Sequence, residues 1–304
     1  MTEFVSKNPL NVKNFRNPIK LVQFNDILIN PDYQDQLMQL NLTSFDTVWN
    51  FRGGDTFKKI PARSVTRIDF EQDGIGNAFY LKRHKPEKVK SRYITFQKHS
   101  QNILSQGMLE LKNIIEFRDH HLATVIPVAA GEKKVDSSRV ISFLITEDFS
   151  PFISLEWILF NRPEIFTGSE GEVRKRQLLE KIGIFARRMH NAGFNHKDFN
   201  ATHILLDYPD QNMKEFEIAL FDLQRVDLKN ILSFRWVIKS LAEMNYTLLD
   251  EYFTEKDRQH LFLAYKGHLK PSCYDRFQRW WIKRKTSRIA RHTKNIIKKR
   301  QSLK

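Results

Sequence analysis

The sequence predicts an α+β chain in two lobes, a small antiparallel sheet carrying one helix followed by a larger, mainly helical part. Three observations carry that prediction. Residues 64 to 82 alternate with period two around the turn signal Asp73-Gly74-Ile75-Gly76-Asn77, as paired antiparallel strands do. Met108 to Phe117 places Leu111, Ile114, Ile115 and Phe117 at helical spacing. Val173 to His190, with Leu178, Leu179, Ile182, Ile184, Phe185 and Met189, reads as a long buried helix that Gly193 closes.

The remaining elements fall in order around these. Residues 1–48 form an N-terminal extension, with a turn at Asn30-Pro31-Asp32 and a short helical stretch from Gln34 to Leu42. The small lobe is expected over 49–149, the helical lobe over 150–266 and a basic tail over 267–304. Gly53-Gly54 precedes a strand-like run from Thr56, and the following turn includes Pro61-Ala62-Arg63-Ser64, whose amides and Arg63 side chain suit a phosphate. Ala78-Phe79-Tyr80-Leu81-Lys82 is an apolar strand that ends in a lysine. Val140 to Asp148 is a buried strand running through Glu147 into a polar connector, where a hinge between lobes would bind adenine through backbone groups.

The chemistry is concentrated in His196-Lys197-Asp198, His203-Ile204-Leu205-Leu206 and Ile218-Ala219-Leu220-Phe221-Asp222. The two apolar runs read as a hairpin flanked by acids. In phosphoryl transfer of the kinase type a catalytic-loop Asp takes up the acceptor hydroxyl, and a metal ligand follows five residues later. A second Asp after an apolar strand holds Mg²⁺ on the nucleotide phosphates. Asp198, His203 and Asp222 occupy those places. Upstream, Lys82 can reach the ATP phosphates, and a helix carboxylate at Glu110 can pair with it and hold it extended. Each feature alone is common, and the signal lies in all five occurring in order.

These blocks resemble the lipopolysaccharide kinases of the Kdo/WaaP type, which have a protein-kinase-like fold. The family replaces the usual kinase signatures with H-[RK]-D-x4-H-[IF]-L-L and D-L-x-R, matched by His196 to Leu206 and by Asp222-Leu223-Gln224-Arg225. Phe79-Tyr80-Leu81-Lys82-Arg83-His84, the run Pro127 to Glu132 and Arg235 to Ala242 are similar to further family segments, so the likeness covers about residues 50 to 270. It implies an ATP- and Mg²⁺-dependent kinase that phosphorylates a heptose or Kdo hydroxyl of the lipid A-linked core oligosaccharide. Lys82 would contact phosphate, Glu110 anchor it, Asp198 orient or deprotonate the hydroxyl, and Asp222 with His203 handle the metal. Three readings of His203 stand, because Mg²⁺ prefers oxygen donors: a metal ligand, a hydrogen-bond partner of a phosphate or of Asp198, or a ring that merely braces the catalytic loop. The family tends to carry glycine where Ala62 stands.

Composition suits an enzyme acting at a surface. The 304 residues are 41% apolar and include one cysteine, Cys273, which excludes an internal disulfide framework. The first twenty residues mix charge and proline and do not read as a signal peptide, which makes the cytoplasm the expected compartment, peripheral to the inner membrane. Of the formal charge of +15, residues 267–304 carry +12, thirteen Lys and Arg against Asp275. Phe277, Trp280, Trp281, Ile282, Ile289, Ile296 and Ile297 alternate with these cations on an expected helix. Such a segment suits an anionic membrane surface, where each Lys or Arg adds about 1 kcal/mol of attraction. A solvated charge run and a nucleic-acid contact are the alternatives, and no nucleic-acid fold signature accompanies the latter.

Rival functions on the same residues are a protein or small-molecule kinase and a noncatalytic interaction module. The second would be expected to lack one of Lys82, Asp198 or Asp222, and all three are present.

Overall fold

The computed structural model describes residues 15–72, 74–88, 92–96, 99–103, 105–207, 216–229 and 234–301. Residues 1–14 of the expected extension, Asp73 of the expected turn and the last three residues of the tail lie outside this set. The chain divides into two compact units, one running through Ser150 and including Asp222–Gln224, the other comprising Pro151–Phe221 and Arg225–Lys304.

The first unit opens with β1 (Val22–Phe24), β2 (Ile27–Ile29), α1 (Gln34–Gln39) and α2 (Phe45–Asn50). The strands β3 (Asp55–Ile60), β4 (Arg63–Gln72) and β5 (Ile75–Lys88) follow. Next come a separate hairpin of β6 (Arg92–Phe96) and β7 (His99–Ile103), helix α3 (Gln106–Asp119), and β8 (Pro127–Lys134) with β9 (Arg139–Glu147). Seven strands form one antiparallel sheet in the order β1-β2-β8-β9-β5-β4-β3. Its core gathers Ile27, Ile29, Phe45, Phe79, Phe143 and Ile145. Because strand neighbours point to opposite faces, burying Phe79 and Leu81 sets the other face for Tyr80 and Lys82.

The strand bearing Lys82 does not end there. It runs on to Lys88, and Lys82 sits mid-strand opposite Val65 on β4 and Leu144 on β9. Arg83-His84-Lys85-Pro86 looks like a stop signal in the sequence, yet the pairing with β9 resumes after a register shift between His84 and Glu87. A bulge is where a sheet accommodates proline.

Helix α3 starts at the N-cap Ser105, whose hydroxyl accepts from the Met108 amide at 3.3 Å. Gly107 lets this helix lie close on β9: its amide donates to Ser142 Oγ at 3.2 Å, and a Cβ there would sit 2.8 Å from that oxygen. The close approach positions the next turn of the helix, which carries Glu110.

The second unit contains β10 (Phe152–Ser154), α4 (Leu155–Asn161), α5 (Gly168–Asn191), β11 (Phe194–His196), β12 (Ile204–Asp207), β13 (Ile218–Leu220) and β14 (Val226–Leu228). Helices α6 (Phe234–Thr247), α7 (Glu255–Lys266) and α8 (Cys273–Gln301) complete it. The expected hairpin is present as β12 against β13, joined by β10, while β11 pairs with β14. The helix expected from Val173 begins five residues earlier and buries Leu178, Leu179, Ile182, Phe185 and Met189. Beyond it Gly193 turns the chain at φ +87°, where a Cβ would stand 2.1 Å from the Lys229 carbonyl oxygen.

The basic tail is one helix of 29 residues, and its start is anchored. Asp275 is 1% exposed and its carboxylate accepts from the Ser272 amide and hydroxyl and faces Lys266 and His268. Among the described residues no helix is long and apolar enough to cross a membrane.

Candidate active site

In the first unit, three predicted residues meet. Lys82 Nζ donates to Glu110 Oε1 at 2.7 Å and Oε2 at 2.9 Å, and to Asp222 Oδ1 at 3.2 Å. Glu110 is 3% exposed, so its place is the buried face of α3 and not the wet one. Burial is the largest influence on the lysine and lowers its pKa, but Glu110 and then Asp222 outweigh it and hold the ammonium above its ordinary value. On Glu110 burial also dominates and pushes the carboxyl up, with Lys82 pulling it back. The lysine is therefore a charged donor held extended by one carboxylate and aimed at a second.

Arg63, the first residue of β4, joins the same cluster. Its guanidinium lies 3.6 Å from Asp222 Oδ2 and donates to Gln224 Oε1 at 2.6 Å. Its Nε is buried without a hydrogen-bond partner, a donor that a phosphate oxygen could satisfy. Asp222 adopts φ +56°, a left-handed conformation that costs any residue but glycine and that Asp tolerates better than most. The turn after it is pinned by Asn113 Nδ2, which donates to the Leu223 carbonyl at 2.8 Å. Asn113 stands one helical turn after Glu110, so an i, i+3 scan of the α3 face could have found it.

Mg²⁺ is typically held by one or two carboxylates with substrate phosphates and water completing the shell. Asp222 fits that demand: each of its oxygens faces a cation, Oδ1 toward Lys82 and Oδ2 toward Arg63, positive charge that a divalent ion could supply instead. Among the described residues no three His, Cys, Asp or Glu side chains cluster to form a ligand cage on their own.

Glu147 closes β9. Its amide donates to the Ile126 carbonyl at 3.0 Å and its carboxylate accepts from the Tyr33 hydroxyl at 2.7 Å. Burial, then Glu147 itself, raises the Tyr33 phenol well above the usual range. The Glu147 amide, one of the backbone groups expected to meet adenine, is therefore already engaged within the first unit.

In the second unit, strands β11 and β14 pair His196 with Val226, so the residues just beyond that register, Asp198 and Arg225, emerge together. Arg225 Nη1 donates to both Asp198 oxygens at 2.9 and 2.7 Å. Sequence reasoning quoted Arg225 within its motif and gave it no role. The loop around Asp198 is held from several directions. His203 Nδ1 bonds the Asp198 carbonyl at 2.9 Å, and the Asp198 amide donates to His196 Nδ1 at 3.2 Å. Lys239 Nζ donates to the Lys197 carbonyl at 3.1 Å, and the Ala201 amide to Thr247 Oγ1 at 3.0 Å. A carbonyl partner can only accept, which places the proton of His203 on Nδ1, and the ring braces the backbone of the loop that carries Asp198.

Comparisons with known proteins point one way. A family model described as the lipopolysaccharide kinase (Kdo/WaaP) family matches residues 48–265. A lipopolysaccharide core heptose(I) kinase WaaP of Escherichia coli is 30% identical over 216 residues, 67% of this chain and 74% of that protein. The protein of the same name from Pseudomonas aeruginosa is 26% identical over 238 residues, 73% of this chain and 83% of its own. A solved structure of WaaP in complex with acyl carrier protein superposes with a TM-score of 0.64 at 23% identity, covering 84% of this chain and 96% of that one, a likeness of fold.

Proposed function

The chain belongs to the lipopolysaccharide kinase (Kdo/WaaP) family, and from that premise we propose that it phosphorylates a heptose hydroxyl of the lipid A-linked inner core, from ATP and with Mg²⁺, at the cytoplasmic face of the inner membrane. Membership makes it a phosphotransferase acting on a sugar hydroxyl of the lipopolysaccharide core, with ATP as donor. Heptose is favoured over Kdo because the curated relatives are named heptose(I) kinases.

The observation that carries the reading is Lys82 held between Glu110 and Asp222. A lysine in that setting positions the α and β phosphates and neutralises charge as the γ-phosphoryl group transfers. Arg63 adds a bidentate-capable cation at the same phosphates. Mg²⁺, held by Asp222, would supply further charge neutralisation on the phosphates. Asp198 accepts the proton of the attacking hydroxyl or orients that hydroxyl, and His203 keeps the Asp198 backbone in place. Arg225 would release the carboxylate as the acceptor engages it.

Exposed Phe277, Trp280, Ile296 and Ile297 beside the cations of α8 support peripheral attachment to an anionic membrane surface. An acyl carrier protein, the partner in the solved WaaP complex, is a second proposed partner.

The test is transfer of label from [γ-³²P]ATP with Mg²⁺ to dephosphorylated core glycolipid. Label in the glycolipid that vanishes in Asp198→Ala is expected. Label appearing only in protein or in a soluble small molecule would overturn the acceptor assignment.

A further inference from the structure

A groove of about 550 Å³ lies between α6 and α8 in the helical unit. The two helices are joined beneath it by Thr286 Oγ1 donating to the Ala242 carbonyl at 3.3 Å and by the buried Ile282. Arg235 and Lys239 line it from α6, and Arg284, Lys285 and Arg288 from α8. Every other lining residue is apolar, with Phe234, Trp236 and Trp281 giving aromatic surface, and no carboxylate lines it. An aromatic series continues along α8: Phe277 stacks on Phe234 at 6.1 Å and meets Trp281 edge-on at 6.3 Å, while the Arg284 guanidinium lies 5.6 Å over the Trp280 ring.

The groove is tied to the catalytic loop. Lys239, which lines it, donates to the carbonyl of Lys197, the residue before Asp198. Glu243 on α6 is within electrostatic reach of Asp198, Arg225, Lys239 and Lys285 together, so the rim cations and the catalytic acid share one neighbourhood.

We propose that this groove seats the anionic sugar end of the lipid-linked acceptor and delivers its hydroxyl to Asp198, an inference that rests on the kinase reading above. Guanidinium and ammonium groups suit the carboxylate or phosphate oxygens of such a headgroup, and aromatic faces suit the C–H faces of sugar rings. The volume matches a small-molecule site, large enough for a headgroup of a few rings.

The test uses the full chain without nucleotide, binding it to micelles of core glycolipid lacking heptose phosphate and to phosphatidylcholine vesicles containing phosphatidylglycerol. Arg284→Ser with Arg288→Ser removes two groove cations. Lys294→Ser with Lys298→Ser removes the same charge from exposed positions of α8 that do not line the groove. The groove pair is expected to lose about 30-fold in affinity for the glycolipid and far less for the vesicles, while the control pair weakens both alike. In turnover the groove pair is expected to raise KM for glycolipid and to leave kcat unchanged. Wild-type affinity of the groove pair for glycolipid, or an equal loss on both surfaces, would overturn the proposal. Selective glycolipid binding by a wild type that transfers no phosphate to it would uphold the groove and overturn the kinase reading.

Discussion

The two charged clusters, one in each unit, are built on opposite terms. Around Lys82 the partners are largely enclosed, with side-chain exposures of 17% for the lysine, 4% for Glu110 and 22% for Asp222. Around Asp198 the partner is an arginine whose side chain is 61% exposed. A buried pair is costly to desolvate and tolerates no missing member, so its geometry is fixed before a ligand arrives. An exposed pair contributes about 0–1 kcal/mol and exchanges readily for a new partner. On the proposed function, the nucleotide end would thus be preorganised, and the acceptor end held by a contact that substrate can displace.

The largest effect expected from breaking that contrast is on catalysis. Asp198→Ala should lower kcat by about 10²- to 10⁴-fold while thermal unfolding stays near wild type, because the carboxylate serves chemistry and its pair is exposed. Glu110→Ala should instead cost about 3–5 kcal/mol in urea unfolding, since it removes the nearer carboxylate of a largely enclosed ammonium and leaves it Asp222 alone. A loss below about 1 kcal/mol there would erase the distinction between the clusters.

His190 in the helical unit sharpens the comparison, being buried with only hydroxyl partners, Tyr265 and Ser240, each at 3.1 Å. Burial lowers its pKa from 6.5 to about 4. A depressed folded-state pKa gives stability that is present above pH 6.5 and is lost as pH falls toward 4, because the unfolded chain binds the proton first. The drop amounts to about 3 kcal/mol. Stability measured between pH 7 and 4 should fall, and His190→Gln should flatten that slope. The smallest effect is expected for Arg225→Ala, under about 1 kcal/mol in stability, with KM for the acceptor falling, because no guanidinium then competes for Asp198, and KM for ATP unchanged.

Much of this was legible in the sequence, for identifiable reasons. Lys82, Glu110 and Asp222 announce themselves because strand, helix and hairpin periodicities place each on or beside a regular element, and the structure brings Glu110 and Asp222 within hydrogen-bonding distance of Lys82. The β12 to β13 hairpin and α5 follow from apolar runs alone. The extent of β5 did not, since Lys85-Pro86 mimics a terminator and only pairing to β9 across a bulge carries the strand onward. Strands β1 and β2 are three residues each, too short to show alternation, and they are defined by pairing, β2 with β8 and β1 with β2. The pairing of Arg225 with Asp198 depends on the register of β11 and β14, strands 29 residues apart between Val226 and Lys197, which no local pattern reveals. The charge pattern of the basic tail did not show that Asp275 and Ile282 are buried and tie the first half of α8 to the helical unit, while Phe277 and Trp280 beside them stay exposed.

The most direct test of this division of labour is to measure ATP affinity and single-turnover phosphate transfer side by side in Lys82→Ala and Asp198→Ala. The account predicts that Lys82→Ala weakens ATP binding along with transfer, while Asp198→Ala binds ATP as the wild type does and transfers almost nothing. Equal losses of ATP affinity in the two variants, or a transfer-competent Asp198→Ala, would contradict it.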